Sequence, residues 1–324
     1  MYQGSGKSGP RTPPSGALGP AGAVRPSNDV IALDSLDLDI QAGEFFGLLG
    51  PNGAGKSTTI GVLTTRIRPT SGRAVVAGAD VSTESVKVRQ RIGVVPQRPN
   101  ADLSLNVIEN LQFHAAYFGI PMSVSTQRAD ELLERLGLSE KKEATVAQLS
   151  GGQQQRLMIV RALMHEPDII FLDEPTVGLD PQARLDLWEI LRDMHARGRT
   201  IVMTTHYMDE ADRLCDRLAI IDEGRLLALD SPRSLKAKAP GGTLLELVLD
   251  GDAAEAVEKS RALAGLSRVE ARDSTLRAYS DQGGRPLPAF IEAAESSGRT
   301  VKDIRLLQPS LETLFVSLTG RKLE

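Results

Sequence analysis

The chain has 324 residues with 38 lysines and arginines against 42 aspartates and glutamates, so it lacks the basic excess that favours a nucleic-acid partner. Its length predicts about two domains, and its single cysteine, Cys215, excludes an internal disulfide and is typical of the reducing cytosol. No apolar run approaches the roughly 18–20 residues of a membrane-spanning helix. These properties predict a soluble protein whose membrane role, if any, depends on another chain.

Residues 1–28 are rich in Gly, Pro, Ser and Ala and contain almost no large apolar side chains. Such a composition cannot offset the entropy cost of ordering, so we predict a disordered leader. The run from Gly4 to Ser8 resembles part of a phosphate-binding loop, but no strand precedes it and the first glycine of the pattern falls on Met1. We therefore expect this run to bind nothing.

Alternating apolar and polar residues at positions 30–40 predict a half-exposed strand, which a turn at Ala42 and Gly43 joins to a buried strand at 45–49. The octapeptide GPNGAGKS that follows has the spacing of a phosphate-binding loop. Its glycines let backbone N–H groups point inward, and a helix beginning near Lys56 adds its positive end.

A phosphate-binding loop of this kind holds a triphosphate together with Mg²⁺. Lys56 can reach the terminal phosphates, and the Ser57 hydroxyl is a suitable hard oxygen ligand for Mg²⁺. The alternative, a glycine-rich turn that binds nothing, does not explain the complete pattern between a strand and a helix. The predicted nucleotide-binding residues are Gly50, Pro51, Asn52, Gly53, Ala54, Gly55, Lys56, Ser57 and Thr58.

Short elements follow, and one ends in a candidate site residue. The pattern predicts a helix ending before Pro69, a strand at 73–76, a helix near 86–90 and a buried strand at 92–95. That strand stops at Gln97, which can deliver a side-chain amide to a site.

Residues 98–149 have a helical pattern and predict an insertion in an α/β domain. One apolar stripe contains Val107, Leu111, Ala115 and Phe118. The aromatic residues of the insertion, Phe113, Tyr117 and Phe118, have two interpretations: packing in the core, or a docking surface for another chain.

The sequence LSGGQ at 149–153 opens the next helix, with Ser150 as its N-cap. Gly151 and Gly152 leave backbone N–H groups uncovered, which suits the close approach of a phosphate. By itself the segment is equally compatible with a capped helix that has no ligand.

The apolar run at 169–172 is bounded by prolines and ends in Asp173 and Glu174, which predicts a central parallel strand whose acids face the ligand crevice. Asp173 is placed to hold Mg²⁺, and Glu174 to orient and deprotonate the attacking water. A loop with Asp180 follows. His206 comes just after the next strand, at 200–204, where a neutral imidazole can bond a terminal phosphate.

The C-terminal part, 239–324, predicts a separate small domain. Strand and helix patterns follow in the order βαββαβ, which indicates a ferredoxin-like α+β fold. A last helix at 311–318 is expected to pack on it. We find no catalytic constellation in this part and predict a regulatory or dimer-supporting role.

In chain order the sequence contains GPNGAGKST, Gln97, LSGGQ, IIFLDEP, GLD and His206, and this set resembles the ATP-binding cassette (ABC) family of transport ATPases. The match covers roughly residues 29–236, and the pairing of LSGGQ with LDEP is specific. The resemblance implies an α/β P-loop NTPase cassette at 29–238, with a mostly parallel sheet and the helical insertion at about 98–149. It also implies hydrolysis of ATP with Mg²⁺.

The resemblance assigns roles to individual residues. Gln97 contacts Mg²⁺ and the attacking water, and Asp180 helps to couple the two sites of a dimer. Ser150 and Gly152, within the segment that also contains Gly151 and Gln153, bind the γ-phosphate of ATP held by the other subunit.

The same resemblance implies partners. Two cassettes, here a predicted homodimer, enclose two ATP molecules head to tail, and each docks through its helical insertion on a separate transmembrane permease at the cytoplasmic face of the membrane. The runs LDEPTVGLDP, TTHYMDEADRLCDRLAII and PSLETLFVSLTGR look like bacterial drug and polysaccharide exporters such as daunorubicin-resistance ATPases. This implies efflux of a drug-like, lipid or polysaccharide substrate, and antibiotic resistance.

One departure from the family pattern concerns the base. The family usually has an adenine-stacking aromatic residue about where Ser27 and Asn28 lie, and this chain has none there. A lost base–aromatic stack costs about 1–3 kcal/mol by analogy with nucleic acids. We therefore expect weak discrimination between ATP and GTP, and a strong ATP preference in competition binding would contradict this.

Two other functions use the same motifs. A soluble cassette ATPase acting on ribosomes or DNA usually has two cassettes or a long coiled-coil insertion, whereas this chain has one cassette and no heptad run. An importer ATPase differs only in its partner.

Overall fold

The computed structural model describes residues 31–240 and 242–320. The predicted disordered leader, the run from Gly4 to Ser8 and the pair Ser27 and Asn28 lie outside the described residues. The described residues from Ala32 onward belong to one compact unit.

Strands and helices alternate through most of the chain. The strands are β1 (Phe45–Leu49), β2 (Val75–Val76), β3 (Ala79–Asp80), β4 (Ile92–Val95), β5 (Ile169–Asp173), β6 (Thr200–Thr205), β7 (Arg217–Asp222), β8 (Arg225–Asp230), β9 (Thr243–Leu249), β10 (Arg268–Arg272), β11 (Thr275–Ser280) and β12 (Val301–Leu307). The α-helices are α1 (Lys56–Leu63), α2 (Ser85–Arg91), α3 (Val107–Tyr117), α4 (Met122–Arg135), α5 (Gly151–Leu163), α6 (Pro181–Ala196), α7 (Met208–Leu214), α8 (Pro232–Ala237), α9 (Ala254–Arg261), α10 (Leu287–Glu295) and α11 (Leu311–Thr319).

A six-stranded sheet with the order β4-β5-β6-β1-β7-β8 forms the centre of the cassette. All its strand pairs are parallel except the β7–β8 hairpin. Along β1, Phe45 and Leu49 join one cluster of buried apolar residues while Phe46 and Leu48 join another, so both faces of the sheet are covered. The predicted α/β fold with a mostly parallel sheet is confirmed.

The strand predicted at 30–40 is wrong for the described residues, since no strand is assigned from 31 to 44. Leu36, Leu38 and Ile40 do pack against the second apolar cluster. The alternating sequence pattern therefore identified which side chains point inward. It does not show whether the backbone has a neighbouring strand to pair with. Ser35 also has a φ of 57°, which interrupts an extended backbone.

The helical insertion contains α3 and α4, which pack on each other and on α5. Val107, Leu111 and Ala115 are buried, as the apolar stripe predicts. Phe113 and Tyr117 are 74% and 78% exposed, so the core-packing interpretation is wrong for these two residues.

Two histidines join the insertion to the sheet. Phe118 stacks on His165 with 3.8 Å between ring centroids, and a nitrogen of His165 lies 2.8 Å from the Ile92 carbonyl oxygen. Burial, with the nearby Arg161 and His165, lowers the pKa of His114 to about 4. Burial also lowers the pKa of His165.

We expect this burial to make the fold sensitive to acid. The ordinary pKa of His114 is 6.5 and its folded pKa is about 4, so between these values the unfolded chain binds more protons. Stability therefore falls as the pH decreases through this window. Urea unfolding at pH 7 and pH 5 should show a smaller loss for His114→Gln than for the wild type. Equal losses of unfolding free energy in the variant and the wild type would contradict a lowered pKa for His114.

The C-terminal part contains a four-stranded antiparallel sheet with the order β10-β11-β9-β12. Its buried residues, including Leu245, Leu276 and Phe290, form a third apolar cluster with α9 and α10. The βαββαβ order with these pairings is a ferredoxin-like arrangement. The boundary predicted at 238/239 stays a prediction.

The final helix packs elsewhere than predicted. Leu311, Leu314 and Phe315 belong to the apolar cluster of the cassette, together with Leu214 and Leu235. Helix α11 contacts α7 and α8. Helical periodicity identified the apolar face, but periodicity does not indicate which surface that face covers.

Replacing Leu314 with alanine tests this packing. The side chain is buried in the cassette cluster, so we expect a loss of about 2–3 kcal/mol of unfolding free energy, the lower part of the range for buried leucines. Leu318→Ala, at an exposed position of the same helix, should change it by less than about 0.5 kcal/mol. Denaturant unfolding measures both, and equal effects would contradict the described packing.

Candidate active site

The phosphate-binding loop joins β1 to α1, and its glycines are required by close contacts. A Cβ on Gly50 would lie 2.2 Å from the Ile221 carbonyl oxygen. Gly55 has a φ of 103°, and a Cβ there would lie 2.8 Å from the Ala32 carbonyl oxygen. Only glycine fits these positions, so the loop stays close to its neighbours while its backbone curls.

Lys56 lies inside this loop. Its Nζ donates to the carbonyl oxygens of Gly50 at 2.7 Å and Pro51 at 3.1 Å, and it is 3.1 Å from Glu174 Oε1. The Lys56 and Glu174 side chains are only 4% and 6% exposed. Each buried charge is thus paired, which burial requires.

Asp173 connects two strands of the sheet to the loop. The Ser57 hydroxyl donates to Asp173 Oδ1 at 3.0 Å, and the Thr204 hydroxyl donates to the same atom at 2.7 Å. The hydroxyl of Ser57 and the carboxylate of Asp173 are the hard oxygen donors that Mg²⁺ prefers. Across the described ranges no three His, Cys, Asp or Glu side chains cluster as a metal site, and Mg²⁺ at nucleotide sites takes most ligands from phosphate and water.

Glu174 is held by its backbone and side chain. Its φ of 47° is unusual for a non-glycine residue, and its N–H donates to Thr204 Oγ1 at 2.9 Å. Gln97 Nε2 donates to Glu174 Oε2 at 3.1 Å. His206 Nδ1 is 3.4 Å from the same oxygen, but its alignment does not make a hydrogen bond. The carboxylate therefore lies at the centre of the predicted catalytic residues.

The glycine-rich start of α5 has its own contacts. Ser150 Oγ accepts from the Gln153 N–H at 3.3 Å, and the Gln153 side chain accepts from the Ser150 N–H at 2.9 Å, so the predicted N-cap is present. Asp180 caps α6 by accepting from the Ala183 N–H at 2.9 Å. A Cβ on Gly152 would meet that of Ala183 at 3.0 Å, which places the two segments side by side.

The predicted site residues thus form two groups in the structure, one around Glu174 and one at the start of α5. Hydrogen bonds and ion pairs link Lys56, Ser57, Gln97, Asp173 and Glu174, with His206 beside them. The segment from Ser150 to Gln153 bonds within itself and lies against the start of α6.

Sequence reasoning missed Thr204, whose hydroxyl bonds both acidic residues of the site. The sequence feature that could have identified Thr204 is a polar residue inside an apolar strand close to His206. Glu210 on α7 is completely buried and accepts from Trp188 Nε1 at 3.0 Å. Burial raises the pKa of Glu210.

Comparison with known proteins identifies the family. Residues 33–177 match the family described as ABC transporter. A Nod factor export ATP-binding protein I of Burkholderia pseudomallei strain K96243 is 42% identical, covering 91% of this chain and 94% of the relative. The chain belongs to the ABC transporter ATP-binding family. A protein of the same name from Cupriavidus metallidurans is 40% identical over the same shares of both chains.

Solved ABC cassettes have the same fold. The structure of cbiO1 from Clostridium perfringens, part of the ABC transporter complex cbiONQ, is 31% identical with a TM-score of 0.60, covering 66% of this chain and 87% of that one. The dimeric cassette MJ0796 bound to ADP and Pi is 30% identical with a TM-score of 0.57, covering 62% and 90%.

The predicted family, ATP binding and ATPase activity are therefore confirmed, and this ABC ATPase is similar to subunits of exporters. None of the helices in the described part of the chain has the length and apolarity that crossing a bilayer requires.

Proposed function

We propose that this ABC ATPase binds and hydrolyses MgATP to drive export through separate transmembrane permease subunits at the cytoplasmic face of the membrane. The observation that carries the proposal is the set of contacts that brings Lys56 and Ser57 of the phosphate-binding loop onto Glu174 and Asp173. The direction of transport rests on the relatives named for Nod factor export, which align over nine tenths of the chain.

The residues divide the chemistry between them. Lys56 would exchange its contact with Glu174 for the terminal phosphates of ATP, which leaves the carboxylate free to take a proton from the attacking water. Gln97 and His206 border Glu174 Oε2, where they would orient that water and the γ-phosphate. Ser57 and Asp173 would hold Mg²⁺, which neutralises charge on the phosphates.

A second ATP-binding subunit would complete the site, and we propose a homodimer. Ser150 and Gly151 are exposed, and they lie at the N-terminus of α5, an end that favours an anion. These features support binding of the γ-phosphate held by the other copy. Asp180, beside this segment, would couple the two sites.

The proposed substrate is a drug-like, lipid or polysaccharide molecule, and a Nod factor is the candidate that the relatives' name supplies. The exposed Phe113 and Tyr117 border a surface depression of about 450 Å³. We propose that this depression receives the permease, because exposed aromatic pairs mark docking sites.

Co-purification tests the proposal. The chain is co-expressed with the membrane protein of the adjacent reading frame and affinity-purified in detergent. We expect a complex with a protein of roughly six spans, whose ATPase activity depends on the transported molecule. The double variant Phe113→Ser with Tyr117→Ser should lose the complex but still bind ATP. Val86→Ser, at another exposed apolar position, should retain it. Dependence on a solute-binding protein would overturn export in favour of import.

A further inference from the structure

Strand β12 forms one edge of the ferredoxin-like sheet and exposes large apolar side chains. Ile304, Leu306 and Leu307 are 44%, 41% and 52% exposed. An edge strand presents N–H and C=O groups that can add a further strand. Within a single chain the Ile304 N–H donates to Asp303 Oδ1 at 2.9 Å, a bond that strand addition would replace. Val269 and Ala271 of β10, at the opposite edge, are half-buried. Of the two edge strands, β12 therefore exposes the larger apolar side chains.

The pairing with β9 fixes which side chains share a face of the sheet. Ile304 lies opposite Leu247 of the third apolar cluster, so it points to the side covered by α9 and α10. Arg305 lies opposite Glu246 and bonds it at 3.3 Å, and it also bonds Asp303 at 3.1 Å. Charged residues thus line one face of the edge and Ile304 the other.

We propose that β12 pairs antiparallel with β12 of a second copy of this chain, about a two-fold axis at Ile304. In such a pair, residues directly opposite each other lie on the same face of the sheet. A residue a given number of positions before the centre lies opposite the residue the same number of positions after it in the second copy. A centre at Asp303 would oppose two aspartates, and a centre at Arg305 two arginines. A centre at Ile304 opposes Asp303 to Arg305 of the second copy on both sides, so charge selects this register.

The strand is regular at the centre of this pairing, from Asp303 to Arg305, whereas Leu306 and Leu307 would lie opposite Lys302 and Val301 beside a bulge. A register shift between Val301 and Asp303 marks a bulge at the start of β12, and such bulges blunt sheet edges. From Asp303 to Leu307 the pairing with β9 continues without a shift. Two four-stranded sheets would therefore join into one continuous sheet, with both pairs of helices on the same side.

The β12 contact, which rests on the proposed homodimer, would give the two copies a second contact that needs no nucleotide. Both contacts would be isologous, as in a closed two-fold dimer. The C-terminal parts would hold two cassettes together while their nucleotide sites open and close.

Cysteine cross-linking of the full-length protein without nucleotide tests the register. Opposite residues have Cα atoms about 4.5–5.5 Å apart, within the range of a disulfide. We expect Ile304→Cys to form a covalent dimer under mild oxidation, since position 304 faces itself. Leu306→Cys is the matched control, because two copies of position 306 would lie about 13 Å apart along the strands. The native Cys215 is buried. No cross-link for Ile304→Cys, or equal cross-linking of both variants, would overturn the proposal.

Sedimentation provides the second measurement. Ile304→Lys places like charges opposite each other and should raise the dimer dissociation constant at least about tenfold. An unchanged constant would overturn the proposal. ATPase activity of the reduced variants is measured in parallel, and normal activity without a cross-link would reject the β12 contact while leaving the proposed ATPase site intact.

Discussion

Glu174→Gln should lower the rate of ATP hydrolysis by about 10²–10⁴-fold, or roughly 3–5 kcal/mol in the activation barrier. The amide has nearly the shape of the carboxylate but cannot accept the proton of the attacking water. Its oxygen can still face Lys56 Nζ, which lies 3.1 Å from Glu174 Oε1 in the wild type. Steady-state phosphate release measures turnover, and calorimetric titration should show that ATP binding persists.

Glu189→Gln is the matched control. This glutamate lies on α6 and is exposed to solvent, so the same chemical change there should leave turnover within twofold or so of the wild type. A rate of ATP hydrolysis in Glu174→Gln equal to that of the wild type would contradict the role of Glu174 as the general base. Loss of both binding and turnover would instead indicate that the side chain holds the loop in place.

Lys56→Met should have two separate effects. Its first effect is on folding, because the change leaves the buried Glu174 carboxylate without its cation, and breaking such a pair costs about 3–5 kcal/mol. Its second effect is on binding, because removing a buried charge that contacts phosphate weakens affinity about 30-fold or more. Denaturant unfolding without nucleotide measures the first, and ATP titration the second.

The double variant Lys56→Met with Glu174→Gln separates these effects. It should recover much of the lost stability, because no unpaired charge remains, but ATP affinity should stay low. Lys87→Met provides the surface control, since Lys87 pairs with Glu84 at 2.7 Å in solvent and such exposed pairs contribute little to stability. Equal destabilisation by Lys56→Met and Lys87→Met would contradict the buried pairing.

Most of the cassette could be predicted from the sequence, because each of its motifs specifies the local backbone structure. A strand, a glycine-rich loop and a helix can be recognised from consecutive residues, and acids at the end of a parallel strand must meet the loop at one edge of the sheet. Asp173 and Glu174 therefore lie on Ser57 and Lys56 as expected.

Other features depend on contacts between distant segments and could not be predicted in this way. Alternation at 30–40 gave the inward side chains but no pairing partner for the backbone. The apolar face of α11 did not reveal that it covers α7 and α8. Thr204 became a site residue only because β6 lies beside β5, an order that the sequence of strands does not determine.

The packing of α11 means that the chain leaves the cassette after α8 and returns to it after β12. The ferredoxin-like part is consequently anchored at both ends, and a segment fixed at both ends samples far fewer orientations than one that hangs from a single linker. Helix α7, which begins two residues after His206, contacts α11, so direct packing joins the site to the far anchor of that segment. Cutting the chain within the ferredoxin-like part would leave both fragments attached to one core.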